Sequence, residues 1–215
     1  MFTGIVRGRY LVTKVTGTAG LVTIEVALDE EMLGLLEIGS SVAVDGVCLT
    51  VTELASTGAC FDIMQETLRV TTLGNVAEGT LVNIEPSLSV QLDISGHIVS
   101  GHVDTTARIF AIDRPDECNC TLRFSIEPQW CRYLFQKGYV AVNGCSLTIG
   151  QVNRGLGEFC VYLIPETMRR TTFGLVQVGD LVNIEVERQT QIIVDTITDC
   201  MERFIGELRG EGKGG

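Results

Sequence analysis

Few side chains in this 215-residue chain can act as nucleophiles or carry protons near neutral pH. A thiol at Cys48 and hydroxyls at Ser146 and Thr148 stand within apolar, strand-like runs, and the two histidines, His97 and His102, lie five residues apart. A hydroxyl or thiol served by an imidazole is a common arrangement for addition and proton-transfer chemistry, because imidazole exchanges a proton close to pH 7. His102 is the candidate proton carrier, and His97 is secondary, a group that orients its loop. The bland alternatives stay open at this point: a cysteine in an apolar run often only packs, and a histidine after Ser-Gly is often structural. The spacing does not suit a metal, since the histidines have no matching thiolates nearby and Cys118-Asn119-Cys120 cannot complete a zinc set. No metal and no cofactor are expected.

The groups gain meaning from an internal duplication. Ser41 to Thr50 (SVAVDGVCLT) lies over Tyr139 to Thr148 (YVAVNGCSLT), and Val82-Asn83-Ile84-Glu85 returns unchanged as Val182-Asn183-Ile184-Glu185. Glu66-Thr67 with Thr71-Thr72 and Gly74 matches Glu166-Thr167 with Thr171-Thr172 and Gly174, and Phe2 to Val6 lies more faintly over Val99 to Val103. Cys48 and Ser146 therefore occupy one position in two copies, and His102 stands where the first copy has Ile5. Two units are too few for a solenoid, so each must close its own core. The boundaries read as 1–92 and 93–188, with a tail at 189–209 and a flexible end at 210–215.

Within each copy, Val/Ile/Thr-rich runs such as Val22–Val26 and Thr121–Ile126 alternate with Gly and Asp turn signals, which points to a closed barrel or a sandwich. One short helix is expected in each copy, over about 29–36 and 128–136, the second opening on Pro128. From Thr190 to Arg209, Ile193, Ile197, Cys200, Met201, Phe204, Ile205 and Leu208 form one apolar stripe at helical spacing. That stripe either packs back on its own domain or forms a seam between subunits.

A net charge of −11 argues against nucleic acid and against an anionic membrane surface, and no apolar run is long enough to span a bilayer. Eight cysteines without paired spacing fit buried thiols in a reducing compartment, so a cytoplasmic protein is expected. A flavin-reductase barrel is disfavoured because no Gly-rich nucleotide loop is visible.

The opening Met1 to Val6, Gly46 to Thr52, Ser95 to Val103, Asn143 to Thr148 and Ile164 to Thr167 together resemble the trimeric riboflavin synthase family, in its order and spacing, over nearly the whole chain. The resemblance implies an all-β fold of two six-stranded Greek-key barrels followed by a C-terminal helix that joins three chains. It implies one 6,7-dimethyl-8-ribityllumazine per barrel, a four-carbon transfer between two such molecules to give riboflavin and 5-amino-6-ribitylaminouracil, and possible association with lumazine synthase. It also turns Cys48 and Ser146 from packing residues into site residues.

By the same resemblance, the first pocket takes Gly4, Ile5 and Val6 with Asp62, Ile63, Met64, Gln65, Glu66 and Thr67, around Cys48, Leu49 and Thr50. The second takes Gly101, His102 and Val103 with Tyr162, Leu163, Ile164, Pro165, Glu166 and Thr167, around Ser146, Leu147 and Thr148, with His97 and Lys137 reaching in. Ser41, Thr50 and Thr148 suit a ribityl chain. Cys48, His102, Ser146 and Thr148 are the catalytic candidates, together with Glu187, which stands where many family members carry aspartate. The alternative function is a non-catalytic lumazine or flavin carrier of the antenna type.

Overall fold

The computed structural model describes residues 1–18, 20–88, 96–116 and 118–211, with side chains of the terminal helix described to residue 207. The expected boundary at 92/93, Ser95 of the third motif and the last residues of the expected flexible end lie outside the described residues.

Two closed, antiparallel six-stranded barrels follow one another. The first is built from β1 (Gly8–Thr18), β2 (Leu21–Ala27), β3 (Ser41–Val44), β4 (Val47–Ala55), β5 (Gly58–Met64) and β6 (Leu81–Pro86), in the ring order β1-β2-β5-β4-β3-β6. The second uses β7 (Thr105–Asp113), β8 (Cys120–Ser125), β9 (Tyr139–Val142), β10 (Cys145–Asn153), β11 (Glu158–Leu163) and β12 (Leu181–Val186) in the same ring order. The neighbours β2 with β5 and β3 with β6 are the crossings that make each ring a Greek key. Closure leaves no free sheet edge, which suits copies that must each be stable alone.

Alternation along the strands sends one face inward. Val12, Ile24, Val26, Phe61 and Ile84 fill the first barrel, and Leu122, Phe124, Phe159, Val161 and Ile184 fill the second. Full burial of each such side chain is worth about 1.5–3 kcal/mol. The hairpins β3–β4 and β9–β10 turn through Asp45-Gly46 and Asn143-Gly144, all four residues at positive φ, as a two-residue turn matched to strand twist requires. These hairpins meet back to back: a Cβ on Gly46 would stand 2.5 Å from the Gly144 nitrogen. The contact is reciprocal around them, since Asn83 Nδ2 donates to the Asn143 carbonyl (3.0 Å) and Asn183 Nδ2 to the Asp45 carbonyl (2.9 Å). The asparagines of the repeated Val-Asn-Ile-Glu motif thus tie the two hairpins together.

The helices depart from expectation. The segments expected to be helical over 29–36 and 128–136 contain only α1 (Glu30–Leu33) and α3 (Pro128–Cys131), after which the chain continues in tight turns such as Leu36 N to Leu33 O and Leu134 N to Cys131 O. Two further helices, α2 (Gln65–Val70) and α4 (Pro165–Arg170), stand at the ends of β5 and β11, where binding segments and no helices were expected. They are too short to show a full apolar stripe; Pro165 at the first helical position is the one signal that marks α4.

The tail forms α5 (Arg188–Glu211). Only its start packs back, through Val194 against the second core and Asp195, which accepts from Tyr133 Oη at 2.7 Å and also pairs with Arg132. Ile193, Ile197, Met201, Phe204 and Ile205 remain exposed, as does Ile192 beside them. Within one chain nothing described covers that stripe.

Candidate functional site

The two segments that precede the barrels, at residues 2–6 and 99–103, are held by the same device. Glu85 on β6 accepts from Thr3 N (2.7 Å), Thr3 Oγ1 (2.8 Å) and Gly4 N (3.0 Å), and Glu185 on β12 accepts from Ser100 N (2.7 Å), Ser100 Oγ (2.7 Å) and Gly101 N (2.9 Å). Burial raises both carboxyls above the ordinary range, while these donors pull them back down. Neither glutamate is among the sequence-based candidates, although a carboxylate repeated within a buried strand was the available signal. Between the barrels Phe2 and Val99 bridge as an antiparallel pair, with Phe2 fully buried.

Each anchored segment then docks on the opposite barrel. The Gly4 carbonyl accepts from Ser146 N of β10 at 2.8 Å, and the Gly101 carbonyl accepts from Cys48 N of β4 at 2.8 Å. The approach needs glycine: at φ +76, a Cβ on Gly4 would meet the Ser146 Cβ at 2.5 Å, and at φ +82 one on Gly101 would meet the Cys48 Cβ at 2.6 Å. This corrects the expected grouping. Gly4, Ile5 and Val6 belong with Ser146, whereas Gly101, His102 and Val103 belong with Cys48, because the pseudo-twofold exchange of the two segments is invisible in one linear copy.

The imidazole beside Ser146 is His97 and not His102. His97 Nδ1 lies 2.7 Å from Ser146 Oγ, and its ring stacks on Tyr139 at 5.3 Å between centroids. His97 is buried, which lowers its pKa, and the nearby Glu187 carboxylate opposes that shift. His102, expected to work with Ser146, is exposed and sits one residue beyond the Cys48 contact, with its N–H donating to Ser100 Oγ at 3.2 Å. Glu187 immediately precedes α5 and accepts from the Thr190 hydroxyl. Ser146, His97, Tyr139 and Glu187 thus form one cluster; Cys48 and His102 belong to the other site.

The strands arrange the remaining candidates on the outer faces of the barrels. Ser41 pairs with Thr50, and the pairing of Val51 with Phe61 sets Thr50 beside Asp62, whose Oδ1 accepts from Thr23 Oγ1 at 2.6 Å. In the second barrel Tyr139 pairs with Thr148, and Ile149 with Val161 sets Thr148 beside Tyr162. Met64, Tyr162 and Ile164 are 61–68% exposed, so each site is an open shelf. Val6, Leu49, Ile63, Leu147 and Leu163 turn their side chains into the cores and can offer a ligand only main chain. Glu66 and Glu166 are tied to Arg69 and to Arg169 with Arg170, which pull both carboxyls down, Glu166 to about 2. Gln65, Thr67, Pro165 and Thr167 lie in α2 and α4, at the edges of the shelves.

Lys137 is held in a costly conformation. Its φ is +68, and its N–H donates to the Ile149 carbonyl (2.8 Å) just as Gly39, at φ +94, donates to the Val51 carbonyl (2.9 Å) in the first copy. A non-glycine residue there costs about 1–2 kcal/mol.

Among the described residues no three His, Cys, Asp or Glu side chains converge as metal ligands.

Comparison with known proteins agrees with this duplicated architecture. The lumazine binding domain family matches twice, over residues 3–87 and 100–187. The chain is similar to riboflavin synthase of Escherichia coli strain K12, 43% identical over 92% of each chain, and to that of Buchnera aphidicola subsp. Schizaphis graminum, 40% identical over 97% of this chain and 99% of the relative. Crystal structures of LumP complexed with riboflavin and with 6,7-dimethyl-8-(1'-D-ribityl) lumazine share the fold with TM-scores of 0.81 and 0.79 at 21% identity, over 87% of this chain and all of theirs. Two matched copies and identity at this level across nearly the full length place the chain in the riboflavin synthase family.

Proposed function

We propose that the chain converts two molecules of 6,7-dimethyl-8-ribityllumazine into riboflavin and 5-amino-6-ribitylaminouracil, as a homotrimer in the cytoplasm. The atoms of the two substrates are fully accounted for by the two products, so the reaction consumes no oxidant, reductant or other cofactor. One lumazine loses a four-carbon unit by breaking two carbon–nitrogen bonds, and the other gains it as a new fused ring. Two nearly equal substrates call for two nearly equal shelves with unequal chemistry, and the single observation that carries the reading is this inequality: Ser146 with a buried His97 on one, Cys48 beside His102 on the other.

On the second shelf, His97 takes the Ser146 proton or that of a water beside it, so that an oxygen nucleophile can add to the donor ring. Thr148, Tyr162 and Lys137 hold the ring and ribityl chain, and Glu187 steadies the charge that His97 gains. On the first, Cys48, Thr50, Asp62, Ser41 and His102 hold the partner molecule. Most of the acceleration is assigned to positioning, which in favourable cases supplies roughly 7–11 kcal/mol.

Open shelves do not exclude water, so a neighbouring barrel is needed to close them. The exposed stripe on α5 supplies the means of bringing three chains together, and a lumazine synthase remains a candidate partner. Eight unpaired cysteines fit a reducing compartment. The Ser146–His97 pair favours turnover over storage. Purified protein given the lumazine alone is expected to produce riboflavin; stable binding without spectral change would instead establish a carrier.

A further inference from the structure

The duplication builds one more concavity, on the pseudo-twofold seam and away from both shelves. A cleft of about 600 Å³ opens between the barrels, in the range of small-molecule sites, and no residue assigned to either shelf lines it. Four leucines and three valines among the seventeen lining residues make its apolar walls. Its deep polar groups are Asp45 and Asn143 from the facing hairpins, and Thr72 and Thr172 from the turns after α2 and α4.

Two observations mark this cleft as a site. Thr172 is nine-tenths buried, and its Oγ1 is a buried side-chain atom without a hydrogen-bond partner, which is unfavourable unless a ligand group completes it. Asp45 is also buried and has no cation within ion-pair distance among the described residues. Its charge is not needed by the turn: Asp45 Oδ1 accepts from Asn83 N at 2.8 Å, and Asn143 Oδ1 accepts from Asn183 N at 2.7 Å in the same geometry. Where the second copy makes do with an amide, the first has a carboxyl.

We infer that the seam cleft binds a small organic cation, an ammonium or amidinium on an apolar body, whose charged head pairs with Asp45 and donates to Thr172 while the body lies against the leucine and valine walls. The other charged groups lining the cleft are Arg108, whose Nη1 donates to the Gly179 carbonyl at 2.6 Å, and Asp180 beside it. They carry opposite signs, and so leave Asp45 as the unbalanced charge. Burial holds the Asp45 carboxyl at about 7, so it is ready to ionise when a cation arrives.

Isothermal titration of the full chain with benzamidine tests this. Saturable binding is expected at pH 8, weakened at least tenfold in Asp45→Asn and at least tenfold at pH 5.5, where the carboxyl is protonated. Leu175→Trp, which fills the exposed rim, is expected to abolish binding without touching the hairpin. Saturating riboflavin must leave benzamidine binding unchanged, which separates this cleft from the two shelves. Absence of saturable binding, equal affinity in Asp45→Asn, or displacement by riboflavin would each overturn the inference.

Discussion

His97 Nδ1 stands 2.7 Å from Ser146 Oγ, and the two residues come from different parts of the duplicated plan: His97 from the segment entering the second barrel, Ser146 from its fourth strand. On the function proposed above, the two act as one unit. Ser146→Ala and His97→Gln are each expected to lower kcat about 100-fold or more, within the range of general acid–base effects, and the double variant to be little worse than either single one. Steady-state kinetics on the three proteins checks this. His102→Gln is expected to act chiefly on KM, as a residue of the Cys48 shelf.

The pH dependence follows from burial of His97. Desolvation lowers its pKa, so the imidazole is neutral and able to accept a proton throughout the neutral range. The kcat/KM profile is therefore expected to stay flat near pH 7 and to fall only below the ordinary histidine range. Glu187→Gln removes the opposing influence and should move that acid limb to still lower pH.

Asp45 sets a pH dependence of stability. Its carboxyl is raised from 3.8 to about 7 by burial, so the resulting loss of stability is absent below the unfolded value, builds as pH rises from 3.8 to about 7, and is constant above that. Asp45→Asn, which copies the second repeat, is expected to be near neutral at pH 4 and stabilising by on the order of 2–4 kcal/mol at pH 8.5. Urea unfolding at the two pH values measures it.

Glu85 and Glu185 should be needed for their shelves more than for their barrels. A glutamine turns one acceptor into a donor facing backbone N–H groups, at a cost of about 1.5–3 kcal/mol. Glu85→Gln is expected to free residues 3–5 from Ser146 and so to lower kcat, and Glu185→Gln to free residues 100–102 from Cys48. Hydrogen exchange of the Gly4 and Gly101 amides reports the release directly.

Lys137→Gly tests whether a strained residue serves binding. Stability is expected to hold or to rise by up to about 1 kcal/mol as the left-handed strain is relieved, while lumazine affinity falls about tenfold. Thermal unfolding and fluorescence titration read the two effects separately.

The duplication into two β units, the terminal helix and the identity of the paired positions Cys48 and Ser146 were determined by the sequence alone, because strand periodicity, Asp-Gly and Asn-Gly turns and repeat offsets are local or linear properties; that each unit closes as a barrel and not a sandwich was legible only through the family resemblance. Which histidine meets Ser146 was not among them. His102 aligns with the copy and His97 does not, yet His97 is the one brought to the hydroxyl, since each entering segment crosses to the other barrel. The anchoring of those segments by Glu85 and Glu185, the stacking of Tyr139 on His97, and the seam cleft with its unpartnered Thr172 hydroxyl arise from contacts between residues up to 138 positions apart. Linear pattern carries what a residue does to its neighbours in the chain; only closure of two barrels around a pseudo-twofold decides which distant side chains share a surface.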